Sequence, residues 1–138
     1  MALNLIKLAV GTEDIADLRR WQRLRKKERG FSAFYTRNTP RRAEELLDGG
    51  SIYWVIKGYV RVRQLLKGFT STVDDEGMPR CVVHYDMRLV PTIAMPKRAF
   101  QGWRYLEGKD VPPDWKGAKG SAELPPKLAE ELRSLGLL

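Results

Sequence analysis

The chain has 138 residues, of which 43% are hydrophobic and 30% charged, with a formal net charge of +8. That length predicts one self-sufficient domain, and that composition excludes a chain disordered throughout. A lone cysteine, Cys81, excludes an intramolecular disulfide framework and any zinc site built from paired cysteines.

The charge is concentrated. Between Asp17 and Arg42 there are ten basic residues (Arg19, Arg20, Arg23, Arg25, Lys26, Lys27, Arg29, Arg37, Arg41 and Arg42) against two acids, and the remaining 15 basic and 15 acidic residues cancel. A charge surplus confined to one segment points to an anionic partner, although a solvated helix face is the plainer alternative. The first ten residues lack the long apolar core of a signal peptide, and no later run approaches the roughly 20 apolar residues needed to span a bilayer. With a single thiol, a reducing, cytoplasmic setting is expected.

In chain order, Leu3, Leu5, Ile6, Leu8 and Val10 suggest a first strand ending at Gly11. Thr12 is placed to cap a helix, with Glu13 and Asp14 in its first turn where the dipole favours negative charge. Ile15, Leu18, Trp21 and Leu24 recur every three residues and predict a helix with a drifting apolar stripe, stopping at Gly30. Phe31, Phe34 and Tyr35 lead through an extended stretch to a second helix, with Thr39 as cap, Pro40 at its first position and Asp48-Gly49-Gly50 as its end. Arg41 and Arg42 near its positive end oppose the dipole, an arrangement that a phosphate would relieve.

From Ser51 the period changes to two. Ser51 to Lys57 and Tyr59 to Leu66 read as strands separated by Lys57-Gly58, either a tight turn or a bulge. Thr70 to Val73, a turn at Asp74 to Pro79, Arg80 to Asp86 and Leu89 to Ala94 continue the pattern. The run Ala99 to Leu106 is ambiguous, because its aromatic residues favour a strand and Gly102 interrupts it. Pro125-Pro126 starts a terminal helix bearing Leu128, Leu132 and Leu135. The expectation is a single α+β domain over residues 1–138: a strongly bent antiparallel sheet or small barrel with two N-terminal helices and one C-terminal helix.

Specific catalytic motifs are missing from the sequence. Cys81 and His84 lie three apart on a strand and face opposite ways, so they form no nucleophile–base dyad. Asp74, Asp75 and Glu76 lack the ligand spacing of a calcium loop, and Gly49-Gly50 follows a helix instead of opening one, so it cradles no phosphate. Neither a metal nor a cofactor is expected. Strand parity does predict one face of Tyr53, Lys57, Tyr59, Arg61 and Arg63, which mixes rings with cations as single-stranded RNA surfaces do. The opposite set, Ile52, Trp54 and Ile56, reads as core. A possible pocket is drawn around Gln101, Trp103 and Arg104, with His84 as an available base.

The runs Thr36 to Lys57 (TRNTPRRAEELLDGGSIYWVIK), Arg63-Gln64 and Ala99 to Leu106 (AFQGWRYL) resemble a family of small alphaproteobacterial proteins classed as a domain of unknown function, family 1489. The resemblance implies a bacterial protein and brings no activity. Tyr53-Trp54-Val55-Ile56-Lys57 followed by basic strands is also similar to the PUA superfamily, including its EVE and ASCH branches, which implies a small bent barrel that binds RNA or modified bases.

Three functions follow as expectations. The first is a non-catalytic nucleic-acid-binding module, for RNA or another polyanion, with Arg19, Arg20, Arg23, Lys26, Lys27, Arg41 and Arg42 on phosphates and Tyr53, Lys57, Tyr59, Arg61 and Arg63 on bases. The second is an interaction subunit that docks an acidic protein through its basic helix. The third is an enzyme or binder for a nucleotide or modified base, using Gln101, Trp103, Arg104 and His84.

Overall fold

A computed structural model describes residues 2–115. The expected C-terminal helix from Pro125 lies outside them. The described elements are β1 (Asn4–Leu8), α1 (Ile15–Arg29), β2 (Ala33–Thr36), α2 (Ala43–Leu47), β3 (Ser51–Ile56), β4 (Tyr59–Val73), β5 (Pro79–Tyr85), β6 (Val90–Pro96) and β7 (Trp103–Leu106), followed by a 3-10 turn at Gly108–Asp110.

The strands form one mixed sheet in the order β2-β5-β4-β3-β1-β7, with β6 also paired to β4. Two expectations are corrected here. The sheet is open and does not close into a barrel, and it is not wholly antiparallel, because β1 runs parallel to β3 with Leu5 opposite Ile52 and Lys7 opposite Trp54. The parallel pair needs a long crossover, and α1, β2 and α2 supply it. Antiparallel β7 completes the other edge of β1, pairing Asn4 with Leu106.

β4 is the spine of the sheet. Its first half pairs with β3 on one edge and β6 on the other, and its second half pairs with β5. Lys57 and Gly58, both at positive φ, make the two-residue turn between β3 and β4. The register then slips at Arg61, so that Val60 and Val62 face opposite sides where strict alternation would put them together.

That slip divides two clusters. Leu5, Ile52, Trp54, Ile56, Val62 and Leu66 build the larger one with Phe34, Val83 and Tyr85, and α1 and α2 cover it with Ile15, Leu18 and Leu46. On the opposite face Ile6, Tyr53, Val55 and Val60 pack with Leu106, and Phe100 and Val111 lean on them. Both helices therefore lie on one side of the sheet.

α1 starts one position pair later than Thr12 would set it. Asp14 is the N-cap, its Oδ1 accepting from the Asp17 N–H at 2.7 Å, and Gly30 at φ 85 ends the helix as expected. The buried positions are Ile15, Leu18 and Gln22, whereas Trp21 and Leu24 are nearly half exposed. A period of 3.6 carries the inward stripe from Leu18 to Gln22, where the three-residue reading carried it to Trp21. α2 is shorter than expected. Arg42 occupies its N-cap position in place of Thr39, and its Leu46 is fully buried.

Candidate nucleic-acid interface

The second half of α1 stands clear of the sheet: every residue from Arg23 to Gly30 is exposed. Apolar residues stop docking the helix after Gln22, so nothing pulls these turns inward. Lys26, Lys27 and Arg29 in the last turn complement the negative end of the helix dipole. Arg19 and Arg23, Arg23 and Lys27, and Arg25 and Arg29 are like charges four apart, each pair costing the helix a few tenths of a kcal/mol. Arg20 alone among these cations is held by an acid, Asp17, at 2.7 Å. Arg23, Arg25, Lys26 and Lys27 have no acidic partner among the described residues. Arg29 lies over the exposed Tyr35 ring, 4.7 Å from its centroid.

The remaining basic residues expected at the interface divide. Arg19 is half-buried and Arg41 exposed. Arg42 is committed elsewhere: its guanidinium grips Glu45 at 2.6 and 3.0 Å, reaches Glu107 at 3.4 Å and lies over the Tyr105 ring. Hydrogen bonding to Glu45, then charge attraction from Glu45 and Glu107, push its pKa above the ordinary arginine range.

The face of rings and cations expected from β3 and β4 does not form as one exposed surface. Tyr53 and Arg61 are buried, and burial pushes the Tyr53 hydroxyl pKa up. Arg63 is clamped bidentately by Asp114 at 2.7 and 2.8 Å and donates to Ser51 Oγ at 3.0 Å. Lys57 pairs with Glu13, and Tyr59 remains partly exposed. Tyr53, with Arg63 opposite it, belongs to the side away from α1, whereas Tyr59 is opposite Ile56 of the helix-side cluster, so the set is split between the two sides of the sheet. The cause is the bulge at Arg61 together with the packing of residues after β6 over the second face, neither of which parity alone reveals.

The expected pocket also separates. His84 is on β5, where it meets the Phe31 ring and Thr70 Oγ1, while Trp103 is on β7 with β4, β3 and β1 between them in the strand order. Gln101 and Arg104 are exposed, and Arg104 lies over Phe100. Cys81 is buried.

A different cavity opens beside α1. It measures about 320 Å³ and lies between the helix, the segment from Lys7 to Thr12, and the sheet. Phe34, Trp54 and Tyr85 meet there, with ring centroids 5.5 to 6.4 Å apart. Lys7 Nζ sits 5.9 Å from the Phe34 centroid, and Arg25 lines the same space. Burial, and then the charge of Arg25, lower the Lys7 pKa. Burial raises that of Tyr85 against the opposing pull of Arg25 and then Arg29.

Gln22 lines the cavity and is held from behind in a reciprocal amide pair with the fully buried Gln64. Gln22 Nε2 donates to Gln64 Oε1 at 2.8 Å, Gln64 Nε2 donates to Gln22 Oε1 at 2.7 Å, and Trp54 Nε1 donates to Gln64 Oε1 at 2.9 Å. The Gln22 amide keeps one hydrogen and one lone pair beyond those bonds. Gln64→Leu is expected to cost about 2–3 kcal/mol by stranding the Gln22 amide and the Trp54 indole N–H in the interior. A urea-unfolding midpoint indistinguishable from wild type would show that the pair does not hold α1 to the sheet.

In the sequence these residues do not stand out, because Trp54 sits with obvious core neighbours. Two signals were present: Lys7 shares the inward face of β1 with Leu5, and Gln22 continues the buried stripe of α1, both polar residues where the pattern calls for apolar ones. Among the described residues no helix is long and apolar enough to cross a membrane, and no cluster of His, Cys, Asp or Glu could hold a metal ion. A family model described as "Protein of unknown function (DUF1489)" matches residues 5–138. No curated protein and no solved structure matches the chain.

Proposed function

Since the chain belongs to the DUF1489 family, whose description carries no activity, we propose its function from its own geometry: it is a non-catalytic RNA-binding module that holds the phosphate backbone on α1. The observation that carries this reading is the exposed half of α1, where Arg23, Arg25, Lys26 and Lys27 follow one another closely without acidic partners among the described residues. Mutual repulsion there destabilises the helix, and a polyanion both relieves it and releases counterions on binding. Single-stranded RNA fits better than duplex, because the accessible rings around the helix, Trp21, Phe31 and Tyr35, can stack only on unpaired bases. The proposal includes the bacterial, cytoplasmic setting that the sequence leads one to expect.

The test is the salt dependence of binding to mixed-sequence single-stranded RNA. Four phosphate contacts predict that affinity falls about 50-fold between roughly 50 and 200 mM salt. No measurable binding at the lower salt would end the RNA reading. A second reading, docking on an acidic protein, draws on Trp21 and Leu24, which put an apolar stripe beside the cations. Partners that co-purify through nuclease treatment and are lost on Trp21→Ser would favour it.

A further inference from the structure

The cavity beside α1 has the chemistry of a nucleotide site. We propose that it takes one unstacked nucleotide, its base against the Phe34, Trp54 and Tyr85 rings and its phosphate between Lys7 and Arg25. The inference rests on the RNA reading for the source of that nucleotide, a base turned out of a strand lying along α1.

Three observations converge. The cavity of about 320 Å³ falls within the size range of small-ligand sites and joins an aromatic wall to a few polar groups, the usual make-up of such a site. The Lys7 ammonium is half-buried with no ion pair to a carboxylate among the described residues, and it shares the cavity with another cation, Arg25, whose charge acts on it. A desolvated cation facing a second cation is unfavourable until an anion enters between them. Gln22, fixed by Gln64, offers an amide hydrogen and a lone pair at the same wall, the donor and acceptor set that reads a base edge. Arg25 belongs to the exposed half of α1 and also lines the cavity, so the backbone held by the helix runs to the mouth of the site.

The experiment titrates the full chain with three probes: a mixed-sequence oligoribonucleotide, an abasic sugar-phosphate oligomer of equal length, and free nucleoside monophosphates. The Trp54 indole N–H resonance and the affinity are both read. The oligoribonucleotide is expected to bind about tenfold more tightly than the abasic oligomer, the worth of one stacked base, and to shift the Trp54 resonance. Lys7→Met should weaken the oligoribonucleotide more than the abasic oligomer and so narrow that advantage, and Arg25→Gln, at an exposed helical position, should narrow it too even if Lys7→Met disturbs folding. Equal binding of both oligomers with Trp54 unmoved overturns the nucleotide site and leaves the α1 reading standing. Binding of monophosphates at Trp54 without binding of either oligomer supports the site and overturns the strand as its source. If no probe binds, both fall.

Discussion

Gly50→Ala is expected to cost about 3 kcal/mol or more, enough to leave a domain of ordinary stability substantially weakened. Gly50 lies where the end of α2 crosses onto the sheet. Its N–H donates to Leu46 O at 2.9 Å, its carbonyl accepts from Leu66 N–H at 3.0 Å, and the next residue, Ser51, is held by Asn4 Oδ1 at 2.9 Å. A β-carbon there would overlap the backbone carbonyl oxygens of both Leu3 and Leu46. Neither can retreat. Leu3 leads into β1, which is paired on both edges, and Leu46 is a fully buried residue of α2. Gly68→Ala is the control: its β-carbon would meet nothing within 4 Å, so its effect should stay within about 0.5 kcal/mol. Urea unfolding of the two variants provides the comparison. Equal midpoints would show that α2 does not press on the start of β1.

The second large effect concerns binding. Replacing Arg23, Arg25, Lys26 and Lys27 together by alanine should lower the salt slope for single-stranded RNA by about three and the affinity on the order of 100-fold at about 150 mM salt. Stability should hold or rise, because all four side chains are exposed, none pairs with an acid among the described residues, and alanine is the better helix former. That combination separates a binding surface from a structural one. Arg88→Ala with Arg98→Ala, two exposed cations away from α1, should produce only a small change. If the two pairs of measurements agree, the protein binds through its net charge and α1 has no special part.

How far the sequence could be read depended on how local each feature is. Gly30 as the end of α1 and the hairpin at Asp74 to Pro79 are set by a few adjacent residues and are legible, and Lys57-Gly58, readable as a turn or a bulge, is the turn. The parallel pairing of β1 with β3 is not legible, because it joins residues 47 positions apart through a crossover that carries no pattern of its own. Of the cations read onto the first two helices, those in the second half of α1 are exposed while Arg42 is taken up by Glu45 and Glu107, and the companion face on β3 and β4 breaks at the Arg61 bulge and under the residues that follow β6. Arg61 adds one position to β4, so alternation places Val62 and Arg63 correctly and assigns Tyr59 and Val60, on the other side of the bulge, to the wrong faces. Phe34, Trp54 and Tyr85 come from three strands, so their meeting is visible only once β2, β5, β4 and β3 are laid side by side.

The position of β1 also governs the order in which the molecule can be made. Asn4 is bonded to Ser51 across 47 residues and to Leu106 across 102, so β1, made before the other described strands, is among the last of them to be enclosed. Contacts this distant in sequence slow folding, since the intervening chain must be ordered before they form. During synthesis the β3–β4–β5 hairpins can assemble early, while one edge of β1 stays uncovered until Trp103 to Leu106 emerge. Nascent chains stalled before residue 103 should accordingly remain protease-sensitive within residues 4–8 and become resistant once β7 is added.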